Sequence, residues 1–285
     1  MQLLNTYVDD LIKRALLEDM SYLDLATDFL IDDNQTSNAY MIAKDTGVLS
    51  GIKIAMRVFE ILDPSFRYEL SKNDCENVFT GDIIVNFTGK TAQLLKGERT
   101  ALNILQHMSG IATAVNNLQL LCNGSKCRIC ETRKTLPGLR AIEKYAVLCG
   151  GGKNHRFSLS DAAMIKDNHI DACGSLKAAV EALRENLGHM AKIEVEVRDK
   201  SELQEALECG CDVIMLDNMT PEMMSECVKI VAGRAILEAS GNITSDNIAE
   251  VAKTGVDVIS LGALTHSVKA FDISMKIEKS GGAKL

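Results

Sequence analysis

Apolar positions recur along this chain with two different periods, and the change of period divides it. Leu3, Leu4, Tyr7, Val8, Leu11, Ile12 and Leu16 are spaced by three and four residues, which predicts an amphipathic helix over 3–17. Residues 18–37 are acidic and irregular. Residues 39–43 read as a strand, 47–51 as a short apolar run bounded by glycines, and 52–62 as a second helix. Further strands are expected at 67–70 and 83–87, the latter opened by a Gly81-Asp82 turn. This order lacks a regular βα rhythm and predicts an α+β domain over roughly the first hundred residues. A continuous helical pattern then runs from Ala92 to about Leu121 and carries Arg99.

The last 130 or so residues behave differently. Apolar-rich strands are expected at 193–197, 213–216, 236–239 and 258–261. The first three precede helical segments at 201–208, 221–231 and 245–253, with Ser201, Thr220 and Thr244 as capping or near-capping residues. Pro221 suits a first helical turn. A tandem βα repeat implies a parallel sheet, either a barrel or an open sheet.

Side chains alternate across a strand, so each of these strands has two faces. Val195 and Val197, Ile214 and Leu216, Leu237 and Ala239, and Ile259 and Leu261 form an aliphatic face suited to helices. The opposite face holds Glu194 and Glu196, Met215 and Asp217, Glu238 and Ser240, and Ser260 and Gly262. Its polar groups crowd toward the C-terminal strand ends, where βα barrels keep their active sites. Buried carboxylates need cations, a metal or a ligand. An internal ion-pair network of Glu194 and Glu196 with Lys166 and Lys192 is the purely structural alternative.

The cations lie just upstream. Arg133, Lys134, Arg140, Lys153, His155, Arg156, Lys166 and His169 fall between Glu131 and His169, beside a triple glycine, in a chain of net charge −8. Arg grips carboxylate or phosphate in a planar fork, and Lys supplies a movable point charge. The concentration suits a small polyanionic ligand. Small residues at 239–242 and 260–263 offer backbone N–H groups as a phosphate cradle ahead of helix N-termini.

Composition narrows the classes. With 46% hydrophobic residues the chain can build a real core. A pI near 5.3, few aromatics and no Trp argue against a nucleic-acid partner. No apolar run is long enough to span a bilayer, and the first residues do not read as a signal peptide. Nine cysteines, odd in number and irregularly spaced, suit a reducing cytoplasm. Cys127 and Cys130 form a lone C-x-x-C with no second well-spaced ligand pair for zinc.

An ordered series of motifs identifies a relationship. It comprises G-E-R-T-A-L-N from Gly97, E-T-R-K-T-L-P-G-L-R from Glu131, E-K-Y-A-V, G-G-G-K-N-H-R, I-K-D-N-H, V-E-V, M-L-D-N-M, L-E-A-S-G-N-I and S-L-G-A-L-T-H-S. Together they resemble the quinolinate phosphoribosyltransferase family over about residues 8–277. The resemblance implies an N-terminal α+β sandwich domain at 1–106, with the tail 268–285 a candidate to pack on it. It implies an incomplete parallel α/β barrel at 107–267.

The implied enzyme is a pentosyltransferase of the cytoplasm. It joins quinolinate to phosphoribosyl pyrophosphate, with Mg2+, to give nicotinate mononucleotide, pyrophosphate and CO2 for NAD synthesis. The resemblance implies a homodimer or higher even oligomer, with Arg99 completing the neighbour's site. Arg133, His155 and Arg156 resemble the groups that hold the pyridine dicarboxylate. Lys134 and Lys166 resemble lysines near the reacting ribose and the pyrophosphate. Glu196 and Asp217 resemble the acidic pair beside the ribose hydroxyls and the metal, which they meet through substrate or water. Ser240, Gly241 and Asn242, with Ser260, Gly262 and Ala263, resemble the loops around the 5′-phosphate.

Lys134, Glu196 and Asp217 are therefore the expected catalytic groups. Leu136 and Leu148 depart from the family pattern, where Thr is common and Arg frequent, and Asn242 replaces a Gly seen in some members. The alternatives are a related phosphoribosyltransferase acting on another aromatic acid, or a non-catalytic protein that binds phosphoribosyl pyrophosphate or a pyridine acid.

Overall fold

The computed structural model describes residues 3–278 and divides the chain into two compact units. The first unit comprises residues up to Asn116, 136–151, and the chain from Ser267 onward. The second comprises 117–135 and 152–266. Segment 136–151 thus groups with the N-terminal part, a division that a single boundary at 106/107 does not capture. Of the tail named in the sequence reading, 279–285 lies outside the described residues.

The first unit opens with α1 (Asn5–Asp19), whose Val8, Leu11, Ile12 and Leu16 are buried. A short helix α2 (Leu25–Leu30) follows inside the stretch expected to be irregular. The Asp24 carboxylate caps it by accepting the N–H groups of Ala26 and Thr27, each at 3.1 Å. Its periodicity is hidden because Leu25, Phe29 and Leu30 all stay exposed instead of marking a core face. Next come β1 (Thr36–Ala43), β2 (Gly47–Val48), α3 (Ile52–Leu62), β3 (Arg67–Leu70), β4 (Asn77–Val78) and β5 (Ile83–Lys90). The long α4 (Thr91–Leu121) leaves the unit at Asn116.

The antiparallel sheet reads β12-β1-β5-β3, where β12 is the late strand Ile273–Ile277. Residues 39–43 of β1 pair with β12, so the chain returns to this sheet after passing through the second unit. Phe59 of α3 is fully buried and stacks on Phe66 and Phe87 at 5.3 and 5.4 Å between ring centres.

In the second unit, β6 (Arg128–Cys130) precedes α5 (Arg140–Cys149), the helix that groups with the first unit. Then come β7 (Ala163–Ile165), α6 (Asp167–Cys173), α7 (Leu176–Asn186), β8 (Ile193–Val197), α8 (Lys200–Glu208), β9 (Val213–Asp217), α9 (Pro221–Val231), β10 (Ile236–Ser240), α10 (Ile248–Lys253), β11 (Val258–Ser260) and α11 (Ala263–His266). The strands form one parallel sheet in the order β6-β11-β10-β9-β8-β7. Six strands with two unjoined edges make an incomplete α/β barrel.

The aliphatic face lies where alternation puts it. Val195, Val197, Ile214, Leu216, Leu237, Ala239 and Ile259 are all at most 2% exposed. Each of the Val, Leu and Ile side chains contributes about 1.5–3 kcal/mol through burial. The cap of α8 differs from expectation. Asp199, two residues before Ser201, accepts the N–H groups of Ser201 and Glu202. Thr220 does cap α9, ahead of Pro221. Thr244 sits well before α10, and its N–H donates to Asn247 Oδ1 at 2.8 Å.

Gly110 lies inside α4, where Gly→Ala ordinarily stabilises a helix by about 0.5–1 kcal/mol. Here a Cβ would come within 2.2 Å of the Lys269 backbone oxygen. Gly110→Ala should therefore destabilise the protein by about 1–3 kcal/mol, as overpacking does, read as a lower midpoint in chemical denaturation.

Candidate active site

A cavity of about 620 Å³ opens at the C-terminal strand ends of the second unit. Arg133 and Lys134 reach it from the loop after β6, and Lys166 from the end of β7. His155 and Arg156 come from the segment after the triple glycine. Glu196, Asp217 and Ser240 stand on the polar faces of β8, β9 and β10, followed by Asn218, Gly241 and Asn242.

Of the sequence-derived candidates, ten line this one cavity: Arg133, Lys134, His155, Arg156, Lys166, Glu196, Asp217, Ser240, Gly241 and Asn242. Ser260, Gly262, Ala263 and Arg99 are not among its lining residues. Ser260 is 2% exposed, within the sheet. Gly262 lies against the Lys134 side chain, 2.8 Å from where a Cβ would stand. Arg99 is exposed on α4, in the first unit. Thr132, Met164, Met215 and Asn218 also line the cavity and were missed. Strand alternation pointed to Met215, but an apolar residue on a polar face carried no chemical signal.

Local contacts fix the cationic loops. The Lys134 N–H donates to Thr132 Oγ1 at 3.0 Å, and its carbonyl accepts from Thr265 Oγ1 at 2.8 Å. Arg156 donates from Nη1 to the Ala162 carbonyl at 2.7 Å, which aims the guanidinium. Lys166 forms an ion pair with Glu196. His169 Nδ1 accepts the Lys166 N–H at 3.1 Å, a supporting role.

Of the purely structural network, the Lys166–Glu196 pair forms, whereas Glu194 pairs with His155. Glu194 and Glu238 are 4% and 3% exposed and face His155. His155 Nε2 lies 3.3 Å from Glu194 and 3.5 Å from Glu238. In the neutral ring its Nδ1 accepts the Arg156 N–H at 2.7 Å. Both ring nitrogens are thus turned into the protein, although His155 was expected to hold substrate directly.

These three residues also have the spacing of a cation site. With Nδ1 accepting a hydrogen bond, the ring proton sits on Nε2, and a doubly protonated ring also carries one there. In either state no lone pair faces the carboxylates. We read the cluster as a hydrogen-bonded triad.

Electrostatics follow from this packing. Burial opposes charge on the His155 ring, but hydrogen bonds to Glu194 and Glu238 outweigh it and push its pKa up to about 10. Burial raises the Glu194 pKa, with Glu238 adding to the effect and His155 opposing it. Burial and the like charge of Arg133 lower the Arg156 pKa, while Glu194 and Glu196 act the other way. The buried acids therefore help to tolerate two adjacent guanidinium groups.

A parallel, incomplete α/β barrel with a charged cavity at its C-terminal strand ends places the second unit among barrel-type ligand-binding and catalytic domains. Comparison with known proteins narrows this. Residues 24–109 match the quinolinate phosphoribosyl transferase N-terminal domain, and 111–276 match the C-terminal domain. The chain is 43% identical to the probable nicotinate-nucleotide pyrophosphorylase [carboxylating] of Bacillus subtilis (strain 168), covering 95% of this chain and 93% of that one. It is 41% identical to quinolinate phosphoribosyltransferase [decarboxylating] 1b of Nicotiana tabacum, covering 94% and 81%. The crystal structure of NadC from Streptococcus pyogenes superposes with a TM-score of 0.93 at 39% identity, covering 97% and 98%. The chain belongs to the quinolinate phosphoribosyltransferase family.

Removing the imidazole leaves two buried carboxylates facing each other. His155→Ala should cost about 3 kcal/mol, the scale of a broken buried ion pair. The ring's pKa is raised on folding, so its stabilising effect is complete below about pH 6.5. It declines above that and is gone once pH passes about 10. The stability difference between wild type and His155→Ala, followed by thermal denaturation across pH, checks both statements.

Proposed function

We propose that this chain transfers the phosphoribosyl group of phosphoribosyl pyrophosphate to quinolinate and decarboxylates the product to nicotinate mononucleotide. The observation that carries this reading is one cavity holding Arg133, Lys134, Arg156 and Lys166 opposite Glu196 and Asp217. Two polyanions need such a set of cations to share a hollow, and a reacting ribose needs the acids.

Arg133 and Arg156 grip the adjacent carboxylates of quinolinate and orient its ring nitrogen toward the anomeric carbon. His155, with its nitrogens committed to Glu194, Glu238 and the backbone, positions Arg156 and does not hold the ligand itself. The ring nitrogen's lone pair forms the new N–C1′ bond, and the C1′–O bond breaks with its electrons leaving on pyrophosphate. Positive charge develops on the ribose as this happens. Glu196 and Asp217 stabilise it, and Lys134 neutralises the departing pyrophosphate. The C2–carboxylate bond then breaks to release CO2, its electron pair stays on C2 where the adjacent positive ring nitrogen stabilises it, and a proton from solvent adds at C2 to complete the product. Arg133 and Arg156 keep the remaining carboxylate in place.

The donor set fits Mg2+. Glu196 and Asp217 present carboxylate oxygens at the cavity wall, the hard ligands this cation prefers, directly or through water. Bound there with pyrophosphate, Mg2+ supplies charge neutralisation. Ser240, Gly241 and Asn242 are placed to receive the 5′-phosphate.

Arg99 stands in the other unit and exposed, which fits donation to a neighbouring subunit in a homodimer or higher even oligomer. Tyr22, Leu25, Phe29 and Leu30 are 91%, 68%, 74% and 79% exposed, an apolar surface suited to a partner. No helix among the described residues is long and apolar enough to cross a membrane. The cytoplasm remains the proposed location, on cysteine usage.

Purified protein given quinolinate, phosphoribosyl pyrophosphate and Mg2+ should release pyrophosphate and CO2 in equal amounts. Turnover of nicotinate in place of quinolinate would point to the related phosphoribosyltransferase, and binding without turnover to a sensor. Arg133→Ala should raise the KM for quinolinate about 10–100-fold, the value of a charged hydrogen-bonded contact. Glu196→Gln should lower kcat about 100-fold and affect quinolinate binding less. Mixing inactive Arg99→Ala and Lys134→Ala proteins should restore part of the activity through hybrid oligomers. Failure despite demonstrated subunit exchange removes Arg99 from the neighbour's site.

A further inference from the structure

Asn218 and Asn242 form a linkage that the reaction scheme does not use. Asn218 follows the last residue of β9, and Asn242 lies two residues beyond the end of β10. Both adopt left-handed backbone, with φ of 55° and 52°. Asn is among the few non-glycine residues that tolerate this region, which costs most side chains about 1–2 kcal/mol. Gly241 between the strand tip and Asn242 has φ of 87°. A Cβ at Gly241 would fall 2.3 Å from Asn218 Oδ1. Two strand tips are thus held in strained backbone so that one amide can sit between them.

The amide's orientation is set by its neighbours. A carboxylate only accepts, so Asn218 turns Nδ2 toward Asp217 Oδ2 at 3.0 Å. Its Oδ1 then faces Asn242, which donates from Nδ2 at 2.8 Å. The backbone joins the same point, because the Asn218 N–H donates to the Ser240 carbonyl at 3.0 Å. Asn247 Nδ2 donates to the Asn242 carbonyl at 3.0 Å and steadies the far side of the loop. The directed chain Asn242 to Asn218 to Asp217 runs along the cavity wall, and all three residues line it.

We propose that Asn218 and Asn242 are positioning residues that couple the phosphate-receiving loop 240–242 to the ribose-facing carboxylate of Asp217. This rests on the proposed function. An anion seated on 240–242 orders Asn242, which orients the Asn218 amide, which fixes the Asp217 oxygen that faces the sugar. Glycine permits the same backbone but cannot make the link.

Glycine substitutions test the amides without disturbing left-handed backbone. Steady-state kinetics for each substrate, with calorimetric binding of phosphoribosyl pyrophosphate alone, are compared for wild type, Asn242→Gly, Asn218→Gly and the double variant. Asn242→Gly should raise the KM and Kd for phosphoribosyl pyrophosphate about fivefold, the value of one hydrogen bond, with the KM for quinolinate unmoved. Asn218→Gly should do the same and also lower kcat about tenfold, because Asp217 loses its donor. The double variant should match Asn218→Gly, since one chain is cut in either place.

Effects that multiply in the double variant, or that fall equally on both substrates, overturn the linkage while leaving the activity standing. If wild-type protein does not bind phosphoribosyl pyrophosphate at all, the proposed function fails and the linkage fails with it. Unchanged thermal midpoints in the variants separate positioning from general loosening. If a glycine variant misfolds, Asn218→Asp provides the second reading. A carboxylate at that position repels Asp217 and should weaken phosphoribosyl pyrophosphate binding further than Asn218→Gly, and equal or tighter binding overturns the proposal.

Discussion

Like charges do not gather in a folded protein without opposing ones, and that constraint organises the second unit. Arg133 is near enough to Arg156 for its charge to oppose that of the Arg156 guanidinium. Desolvation makes this worse, because guanidinium groups inside a cleft lose part of their hydration. The barrel answers with acids on the inward face of its strands. Glu194 and Glu238 are buried and hold His155, while Glu196 is more exposed and binds Lys166. The arrangement leaves a cavity with strong local fields of both signs, prepared for ligands that are themselves anionic and a reaction that creates positive charge.

The same acids divide into two tasks by burial: Glu194 and Glu238 are almost fully enclosed, whereas Glu196 is part-exposed and lines the cavity with Asp217. Parallel register sets Glu196 and Glu238 beside Met215, and Asp217 beside Ser240 nearer the mouth. Alternation then drops Glu194 one step further in. The buried pair, Glu194 and Glu238, is not among the residues that line the cavity and faces the imidazole instead. The outer pair faces the cavity. Two glutamates only two residues apart on one strand thus differ in role because a strand repeats every second residue.

Much of this was legible from residue order. Strand periodicity gave the four central strands of the barrel and the side on which their polar groups lie. The cationic segment 133–166 announced an anion site, and the glycines beside it supplied loops that bring the charges together. What stayed hidden was specific. Helix α2 lacks a core-facing stripe, so nothing in its apolar spacing marked it. His155 lines the cavity, but its nitrogens lie against Glu194, Glu238 and the Arg156 N–H, and only three-dimensional packing reveals those partners. Asn218 read as part of a motif without chemistry. Its left-handed backbone and two-sided amide hydrogen bonding emerge only when β9 and β10 lie side by side.

The most direct test of the central claim is a crystal structure of the protein with quinolinate and an unreactive carbocyclic analogue of phosphoribosyl pyrophosphate. Both ligands should occupy the one cavity, with the dicarboxylate against Arg133 and Arg156, the pyrophosphate toward Lys134, and the sugar ring beside Glu196 and Asp217. Either ligand bound elsewhere, or a sugar turned away from both acids, would contradict the account.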